Sequence, residues 1–284
     1  MKKTQQYSHA YLIQRPDHLP TDFPVNADFA KLICGLFLPS RRRGKFGVAS
    51  CPARILLLFP DSVAVVAHPS TGSPRADIQI DDIVVIEQRR LLLDASISIR
   101  ASDVVQEWPY DVHEEGFVGE FLSHLRHLFL TNQPAERTLG RSVFGEPLDH
   151  KFGCGESDHV DRSEALTARF FSAPSTMIRK RWLVRTNVLV PGEYLALTSR
   201  RILWLSDQID DNYEPRGIMS RFAPLRQVAE INVGNQNGTC EIVLTLFCGI
   251  HWRLPIQADF YGEAKSFAKQ AYRLLEWRDA KKPA

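Results

Sequence analysis

The two halves of this sequence carry the same series of hydrophobic landmarks, and this internal repeat constrains the fold more than any other feature. Residues 54–58 (RILLL) match residues 201–205 (RILWL), 147 positions later. A second series lies 145 positions apart and comprises three pairs: Ile80 with Leu225, Ile83 with Val228, and Ile86 with Ile231. A chain of 284 residues is long enough for two such domains, so the repeat predicts a tandem duplication.

Each half continues with an alternating strand, a strand that contains tryptophan, and a helix. Residues 95–99 and 241–246 alternate with a period of two, which predicts half-buried strands. Trp108 and Trp252 follow at matching positions, where their large aromatic rings favour a core role over a ligand-stacking role. Apolar residues spaced by three and four then predict one terminal helix per half, over residues 117–129 and 260–275. Asp259 is the predicted N-cap of the second helix.

The domain boundaries follow from the repeat and from a weaker similarity upstream. Residues 36–40 (LFLPS) resemble residues 171–175 (FSAPS), and each run follows a helix-like segment. The predicted cap is Asn26 for the first segment and Asp161 for the second. The stretch between the copies is rich in Gly, Pro, Asp and Ser, which is typical of a linker. The predicted organisation is an N-terminal extension at 1–25, a first domain at 26–132, a linker at 133–160 and a second domain at 161–284. The predicted fold class is mainly β (α+β), with strands first and one helix last in each domain.

The overall charge and the cysteines restrict the partners and the compartment. Lys and Arg number 35 against 33 for Asp and Glu, and the net charge of +2 gives no global field for nucleic acid. The five cysteines are odd in number and lack CxxC spacing, which indicates free thiols in a reducing compartment. The first 20 residues lack the apolar stretch of a signal peptide, and no window approaches 18 consecutive apolar residues. These features predict a cytoplasmic protein.

A resemblance to a known family starts in the second half. The run from Val190 to Leu205, VPGEYLALTSRRILWL, is similar to the opening hairpin of bacterial pleckstrin-homology-like domains. In that family a PGE turn leads into a strand that ends in an L-T-x-R-R-hydrophobic signature. The resemblance covers about 95 residues, through the C-terminal helix, and the first half is identified by its match to the second. Residues 50–54 (SCPAR) depart from the signature, since they lack the threonine and one arginine.

What the resemblance implies is a strongly bent antiparallel sheet or partly open barrel in each domain, closed at one corner by the terminal helix. The family shares no enzymatic activity, cofactor or fixed set of binding residues, because related domains bind lipid headgroups, peptides or proteins. We therefore expect a non-enzymatic binding or scaffolding module whose partner is another protein, and we further expect a homodimer. The alternatives are peripheral binding of anionic lipid and, less favoured, an enzyme with a site between the domains or in the linker.

Two basic clusters are candidates for binding an anion or a lipid surface. Arg41, Arg42, Arg43 and Lys45 form the densest run, and the resemblance places them near the first strand, where related domains hold phosphorylated headgroups. The alternative, which we favour, is a solvated loop. The second cluster comprises Arg179, Lys180, Arg181, Trp182 and Arg185. Its basic side chains suit an anionic surface, but they are equally typical of a strand edge protected from aggregation by charge, which is the interpretation we favour.

Metal and catalytic signatures are weak by comparison. Four residues of the linker region carry metal-competent atoms at irregular spacing, unlike a structural zinc site: His150, Cys154, His159 and Asp161. His124 and His127 share a helix face that we expect to be solvent-exposed. Asn237-Gly238-Thr239 fits a glycosylation pattern but is typical of a hairpin turn. The sequence contains no GxSxG, GxxxxGK, HExxH or Gly-rich dinucleotide motif, and adjacent acidic pairs such as Asp81-Asp82 would point to opposite faces of a strand. The prediction is a protein without catalytic residues, cofactor or metal.

Overall fold

The protein is described by a computed structural model that covers residues 8–23, 25–43, 49–68, 75–91, 95–102, 104–131, 142–145, 148–160, 164–181, 184–209, 215–236 and 239–280. The described chain is mainly β, with antiparallel sheets and a C-terminal helix. It divides into two compact units. The first comprises Met1–Ile83 and Leu92–Asn132, and the second comprises Val84–Leu91 and Gln133–Ala284.

The first half of the chain contains short strands followed by one long helix. Its elements include β1 (Tyr11–Ile13), β2 (Cys34–Leu38), β3 (Arg41–Arg43), β4 (Ala49–Cys51), β5 (Arg54–Leu58), β6 (Ser62–Ala67), β7 (Arg75–Gln79), β8 (Ile83–Leu91), β9 (Ala95–Ala101), β10 (Val105–Tyr110) and α1 (Glu115–Thr131). Single 3₁₀ turns at Ile80–Asp82 and Val112–Glu114 precede β8 and α1. Most of the apolar positions predicted for α1 are buried along one side, at Val118, Phe121, Leu125 and Phe129 among others, but Phe117 is 43% exposed.

The second half repeats this order. Its elements include β11 (Ser142–Gly145), α2 (His150–His159), β12 (Leu166–Ser172), β13 (Ser175–Arg181), β14 (Val184–Val190), β15 (Glu193–Thr198), β16 (Arg201–Ile209), β17 (Pro215–Pro224), β18 (Val228–Gln236), β19 (Thr239–Leu246), β20 (His251–Ile256) and α3 (Tyr261–Ala280). The 3₁₀ turns at Leu225–Gln227 and Ala258–Phe260 precede β18 and α3. Each half therefore ends in a 3₁₀ turn, three strands, a second 3₁₀ turn and a helix.

The first unit is built on an antiparallel sheet with the strand order β1-β2-β5-β6-β7. β3 and β4 form a separate hairpin, and β9 pairs with β10. The residues of β5 from Ile55 onward are all buried, as expected for an apolar strand covered on both faces. The predicted N-terminal extension takes part in this core, because β1 pairs with β2 and Phe23 packs with Phe37.

The second unit places its main strands in the order β8-β17-β16-β15-β12-β11. β11 runs parallel to β12, and the other neighbours for which a register is given are antiparallel. A three-stranded sheet, β18-β19-β20, shares one hydrophobic core with α3 and the main strands. Trp204 and Trp252 lie within this core, with ring centroids 5.5 Å apart. The core role predicted for Trp252 is thus confirmed, and Trp108 of the first unit is buried as well.

The element order matches between the halves, and it shows that one pair of sequence landmarks was aligned incorrectly. The order β2-β5-β6-β7 in the first unit corresponds to β12-β15-β16-β17 in the second. RILLL therefore belongs to a strand that corresponds to β15, whereas RILWL opens β16. The pairing of these two runs was wrong by one strand. Both are buried on both faces, and such strands lose the alternation that fixes a register.

Four further local predictions differ from the structure. The segment 133–160 contains β11 and α2 and is therefore more than an irregular linker. Asp259 lies inside the 3₁₀ turn, whose N-cap is Gln257. No helix follows Asn26, since residues 26–33 are irregular apart from a turn at 29–30 and a bend at 31, and Asp161 lies outside the described residues. Finally, β8 belongs by sequence to the first copy, yet its residues 86–91 pair with β17, and residues 84–91 belong to the second unit.

Candidate functional site

The first candidate site is the basic run, of which the structure describes one side chain. Residues 41–43 form β3, paired with β4, and Arg41 lies opposite Cys51. The Arg41 guanidinium contacts two carboxylates, with Nη1 3.2 Å from Asp111 Oδ2 and Nη2 2.8 Å from Glu114 Oε2. The side chains of Arg42 and Arg43, and Lys45 as a whole, lie outside the described residues. The charge of Arg41 is therefore already compensated within the unit.

The two carboxylates that hold Arg41 also form the N-terminal cap that precedes α1. Asp111 Oδ1 accepts a hydrogen bond from the His113 amide at 3.0 Å, and Glu114 Oε2 accepts one from the Asp111 amide at 3.0 Å. The buried Glu114 also accepts a hydrogen bond from the Ala10 amide at 2.8 Å. Hydrogen bonds from the amide and from the imidazole of His113, with a smaller contribution from Arg41, lower the pKa of Asp111 to about 2. The spacing D-x-x-E before an apolar helix could have predicted this capping box.

Replacing Asp111 tests the cap separately from the charge. We expect Asp111→Ala to lower the free energy of unfolding by about 1 kcal/mol, because it leaves helix amides without an acceptor. Asp111→Asn should cost less, since asparagine caps helices as well as aspartate does. Urea unfolding at pH 7 measures both. Because the folded pKa is depressed, the wild-type contribution should persist above the unfolded pKa of about 3.9 and disappear as the pH falls through about 2.

The second candidate site is the L-T-x-R-R signature, at the turn between β15 and β16. The Thr198 hydroxyl accepts hydrogen bonds from the amides of Arg200 and Arg201, at 3.2 and 3.1 Å, and donates to Glu164 Oε2 at 2.9 Å. Arg201 is 1% exposed and binds Glu164 through both Nε and Nη2, while Nη2 also donates to the His159 carbonyl. The signature therefore forms an internal clamp, and its second arginine is not accessible to a ligand.

A third polar group is Glu193, the first residue of β15. Its carboxylate is buried and accepts hydrogen bonds from Trp204 Nε1 at 2.5 Å and from Ser206 Oγ at 2.9 Å. Burial raises the pKa of Glu193 to about 8, the hydrogen bonds from Trp204 and Ser206 oppose that rise, and the nearby Asp207 adds to it. Arg221 lies over the Trp204 ring, 4.5 Å from the centroid, and forms an ion pair with Glu87. No pattern in the sequence predicted that Glu193 would be buried and hydrogen-bonded in this way.

α2, in the predicted linker, covers this part of the second unit with its own polar contacts. Lys151 pairs with Asp207, and the Tyr194 hydroxyl donates to Glu156. The buried His159 lies 3.0 Å from Ser220 Oγ through Nε2. A serine beside a histidine can serve in nucleophilic catalysis, but here both side chains are buried, which favours a structural role.

The structure does not assemble the predicted metal candidates into one site. Cys154 Sγ lies 3.7 Å from His150 Nδ1 on an exposed side of α2, whereas His159 is buried and Asp161 lies outside the described residues. Within the described part of the chain, no three His, Cys, Asp or Glu side chains are grouped as metal ligands. His124 and His127 are both exposed on α1, as predicted.

The remaining sequence candidates lie on hairpins. Residues 179–181 belong to β13 and Arg185 to β14, where Lys180 pairs with Arg185 in the backbone register. Trp182 and the side chains of this basic hairpin lie outside the described residues. Asn237 and Gly238 do as well, but the flanking Gln236 and Thr239 pair across the β18–β19 hairpin.

Comparisons with known proteins give no family assignment. No protein-family model and no curated protein matches this chain. None of the helices in the described ranges is long and apolar enough to cross a membrane.

Proposed function

We propose that this chain is a non-enzymatic, cytoplasmic binding module made of two pleckstrin-homology-like domains, and that its partner is another protein. The repeated element order supports this fold. β2 and β3 are separated by Pro39, and β4 and β5 by Pro52, so each couple counts as one interrupted strand. The matching couples are β12 with β13 and β14 with β15. Apart from β1 in the first half, and β11 and α2 in the second, each half then has seven strands followed by one helix in the described ranges, the number and order expected for such a domain.

The observation that carries the functional proposal is the internal use of buried polar groups. Arg201 is held by Glu164, Glu193 by Trp204 and Ser206, and His159 by Ser220. Catalytic groups need access to a substrate, whereas these groups hold backbone turns and neighbouring strands together. Their arrangement favours a scaffold whose function lies on its surface.

Two exposed aromatic side chains of the second unit are candidates for the protein-binding surface. Phe247, in the turn between β19 and β20, is 57% exposed, and Tyr272 on α3 is 51% exposed. Aromatic side chains are enriched in protein interfaces, because they bury a large area with few rotatable bonds. Single exposed apolar residues are common on protein surfaces, so each position needs its own test.

The test is recovery of a partner from the lysate of the cell that makes this protein. We expect the tagged full-length chain to retain a stoichiometric protein, and the variant Phe247→Asp or Tyr272→Asp to retain at least several-fold less of it. Val105→Asp is a matched control, because Val105 is 53% exposed and lies in the first unit. Absence of any stoichiometric partner, or equal loss in the control, would contradict the proposal.

A further inference from the structure

In both units a strand from outside the seven-strand repeat covers the outer edge of the repeat's first strand. In the first unit β1 pairs with the edge of β2, and in the second unit β11 pairs with the edge of β12. β2 and β12 occupy the same place in the two strand orders. The added strands run in opposite directions, since β1 is antiparallel to β2 and β11 is parallel to β12. This edge therefore accepts an extended segment of either direction through backbone hydrogen bonds.

β1 is firmly built into the first unit. Ile13 is fully buried, and the Tyr11 ring stacks on Phe37 with the ring centroids 5.0 Å apart. The amide of Ala10, just before β1, donates a hydrogen bond to the buried Glu114 at 2.8 Å. A competing strand would have to break all these contacts, so we expect β1 to stay in place.

β11 is anchored less strongly in its described residues. Val143 is 51% exposed, and a parallel pair is slightly less stable per residue than an antiparallel one. The closest approach to β12 is at Gly145, where φ is +77° and a Cβ would lie 2.0 Å from the Phe171 carbonyl oxygen. A residue with a side chain could take this position only if one of the two strands moved. The pairing of β11 therefore depends on a single glycine.

β12 is flanked by one helix on each face. On one face, Phe170 packs with Phe267 of α3, with ring centroids 6.2 Å apart. On the other face, Phe171 packs with Phe152 of α2 at 5.1 Å. α3 also lies against β11, and it carries the exposed Tyr272. Because successive residues of a strand point to opposite faces, a strand on this edge directs alternate side chains towards α3 and towards α2.

The residues of β12 indicate which kind of segment fits beside it. Position 143 is in register with Arg169, whose Nη1 lies 3.8 Å from Glu156 Oε2. An acidic residue at this position would give Arg169 a second, cross-strand partner. The next position is in register with Phe170, where an apolar residue fits, and the position after it requires glycine. The favoured segment is thus extended and contains an acidic residue, an apolar residue and a glycine in that order.

We propose that the protein partner binds the edge of β12 by adding a parallel extended segment that takes the place of β11. This inference rests on the proposed binding function and names the site that the partner uses. Backbone hydrogen bonds supply the affinity when a strand is added to a sheet edge, and the positions of alternate side chains supply the specificity. The partner's acidic, apolar and glycine residues lie opposite Arg169, Phe170 and Phe171. β11 covers the edge until the partner displaces it.

The first experiment titrates a fluorescein-labelled synthetic peptide, GRSVFGEP (residues 140–147), with the full chain and follows fluorescence polarisation. The wild type should bind weakly, because its own β11 competes, and Gly145→Val should bind at least several-fold more tightly. Gly234→Val is the matched control: Gly234 also lies in a strand of the second unit, but the nearest atom to its new Cβ would be 3.9 Å away. Its affinity should equal that of the wild type. Equal affinity in Gly145→Val, shown to be folded by far-UV circular dichroism, would refute the site.

A second titration tests the register and leaves β11 of the chain unchanged. The peptide change Val143→Asp should lower the Kd for the wild-type chain several-fold at low ionic strength, since the new carboxylate lies opposite Arg169. Arg169→Gln in the chain should remove this difference between the two peptides. If the two peptides bound the wild type equally, or if the aspartate peptide kept its advantage with Arg169→Gln, the proposed pairing would be wrong.

Capture from the cell lysate separates this inference from the proposed function. Tagged Gly145→Val should retain several-fold more of the partner than the wild type does, because β11 no longer covers the edge of β12. A partner that the wild type retains and Gly145→Val does not enrich would show binding elsewhere, so the inference would fail while the binding module stood. Absence of any partner would overturn the proposed function, and the peptide titrations would still decide whether the edge accepts a strand.

Discussion

Removal of the Glu164 carboxylate is expected to lower the free energy of unfolding by about 3–5 kcal/mol. Glu164→Ala leaves the guanidinium of Arg201, which is 1% exposed, without its charge partner in a site that water does not reach. Arg201→Met leaves the opposite charge uncompensated, so its loss should be similar. Urea unfolding followed by far-UV circular dichroism and tryptophan fluorescence measures both changes, and the fluorescence reports on all five tryptophans, including Trp204 and Trp252 in the same unit.

Two comparisons separate this buried pair from an ordinary ion pair. The double variant Glu164→Ala with Arg201→Met should lose much less than the sum of the two single changes, because replacing both partners leaves no uncompensated charge. Arg253→Ala is the exposed control: Arg253 is 62% exposed where it pairs with Glu241, and its loss should stay below about 1 kcal/mol. If Glu164→Ala cost no more than this control, the internal role assigned to the L-T-x-R-R signature would be wrong.

The Arg201 clamp shows what the sequence can and cannot predict. The signature was recognised within residues 190–205, and the hairpin between β15 and β16 lies there. Its structural role depends on Glu164, 37 positions earlier, and on the carbonyl of His159. A contact at that separation leaves no periodic pattern, so the same arginine could equally have been assigned to a ligand.

α2 was missed for a related reason. Its sequence, HKFGCGESDH, has few apolar residues and two glycines, which disfavour a helix. Gly155 nevertheless packs closely, since a Cβ at that position would lie 2.8 Å from Leu205 Cδ1 and the Leu205 side chain would have to shift. Tertiary contact with β16 therefore stabilises a helix that local propensity opposes.

The periodic elements were predicted well, and the pairing of buried strands was not. α1, α3 and the tryptophan strands were found because each buries one side and exposes the other, which leaves a pattern in the sequence. β5 and β16 are buried on both faces, so they were matched to each other by composition alone. No pattern in the sequence predicts the pairing of β8 with β17. The two strands are joined by backbone hydrogen bonds, which do not identify the partner strand.

The second large effect is a pH dependence set by Glu193. Its folded pKa of about 8 lies above the ordinary value of 4.5, since burial disfavours the carboxylate. The folded protein therefore holds this proton more tightly than the unfolded chain does between these two values. The contribution of Glu193 to the free energy of unfolding should be fully present below pH 4.5 and should fall as the pH rises towards 8. The slope should be at most about 1.4 kcal/mol per pH unit. Urea midpoints at pH 5, 6, 7 and 8 measure this slope.

Glu193→Gln isolates the contribution of this one group. Glutamine is close in shape, and its carbonyl oxygen can still accept the hydrogen bond from Trp204 Nε1 that Glu193 accepts. It cannot ionise, so its stability should change less with pH than that of the wild type. Asp111, whose pKa is lowered to about 2, titrates below this window and does not contribute to the difference. An identical pH slope in wild type and variant would show that the Glu193 carboxylate is ionised in the folded protein throughout, with Arg221 close enough to compensate its charge.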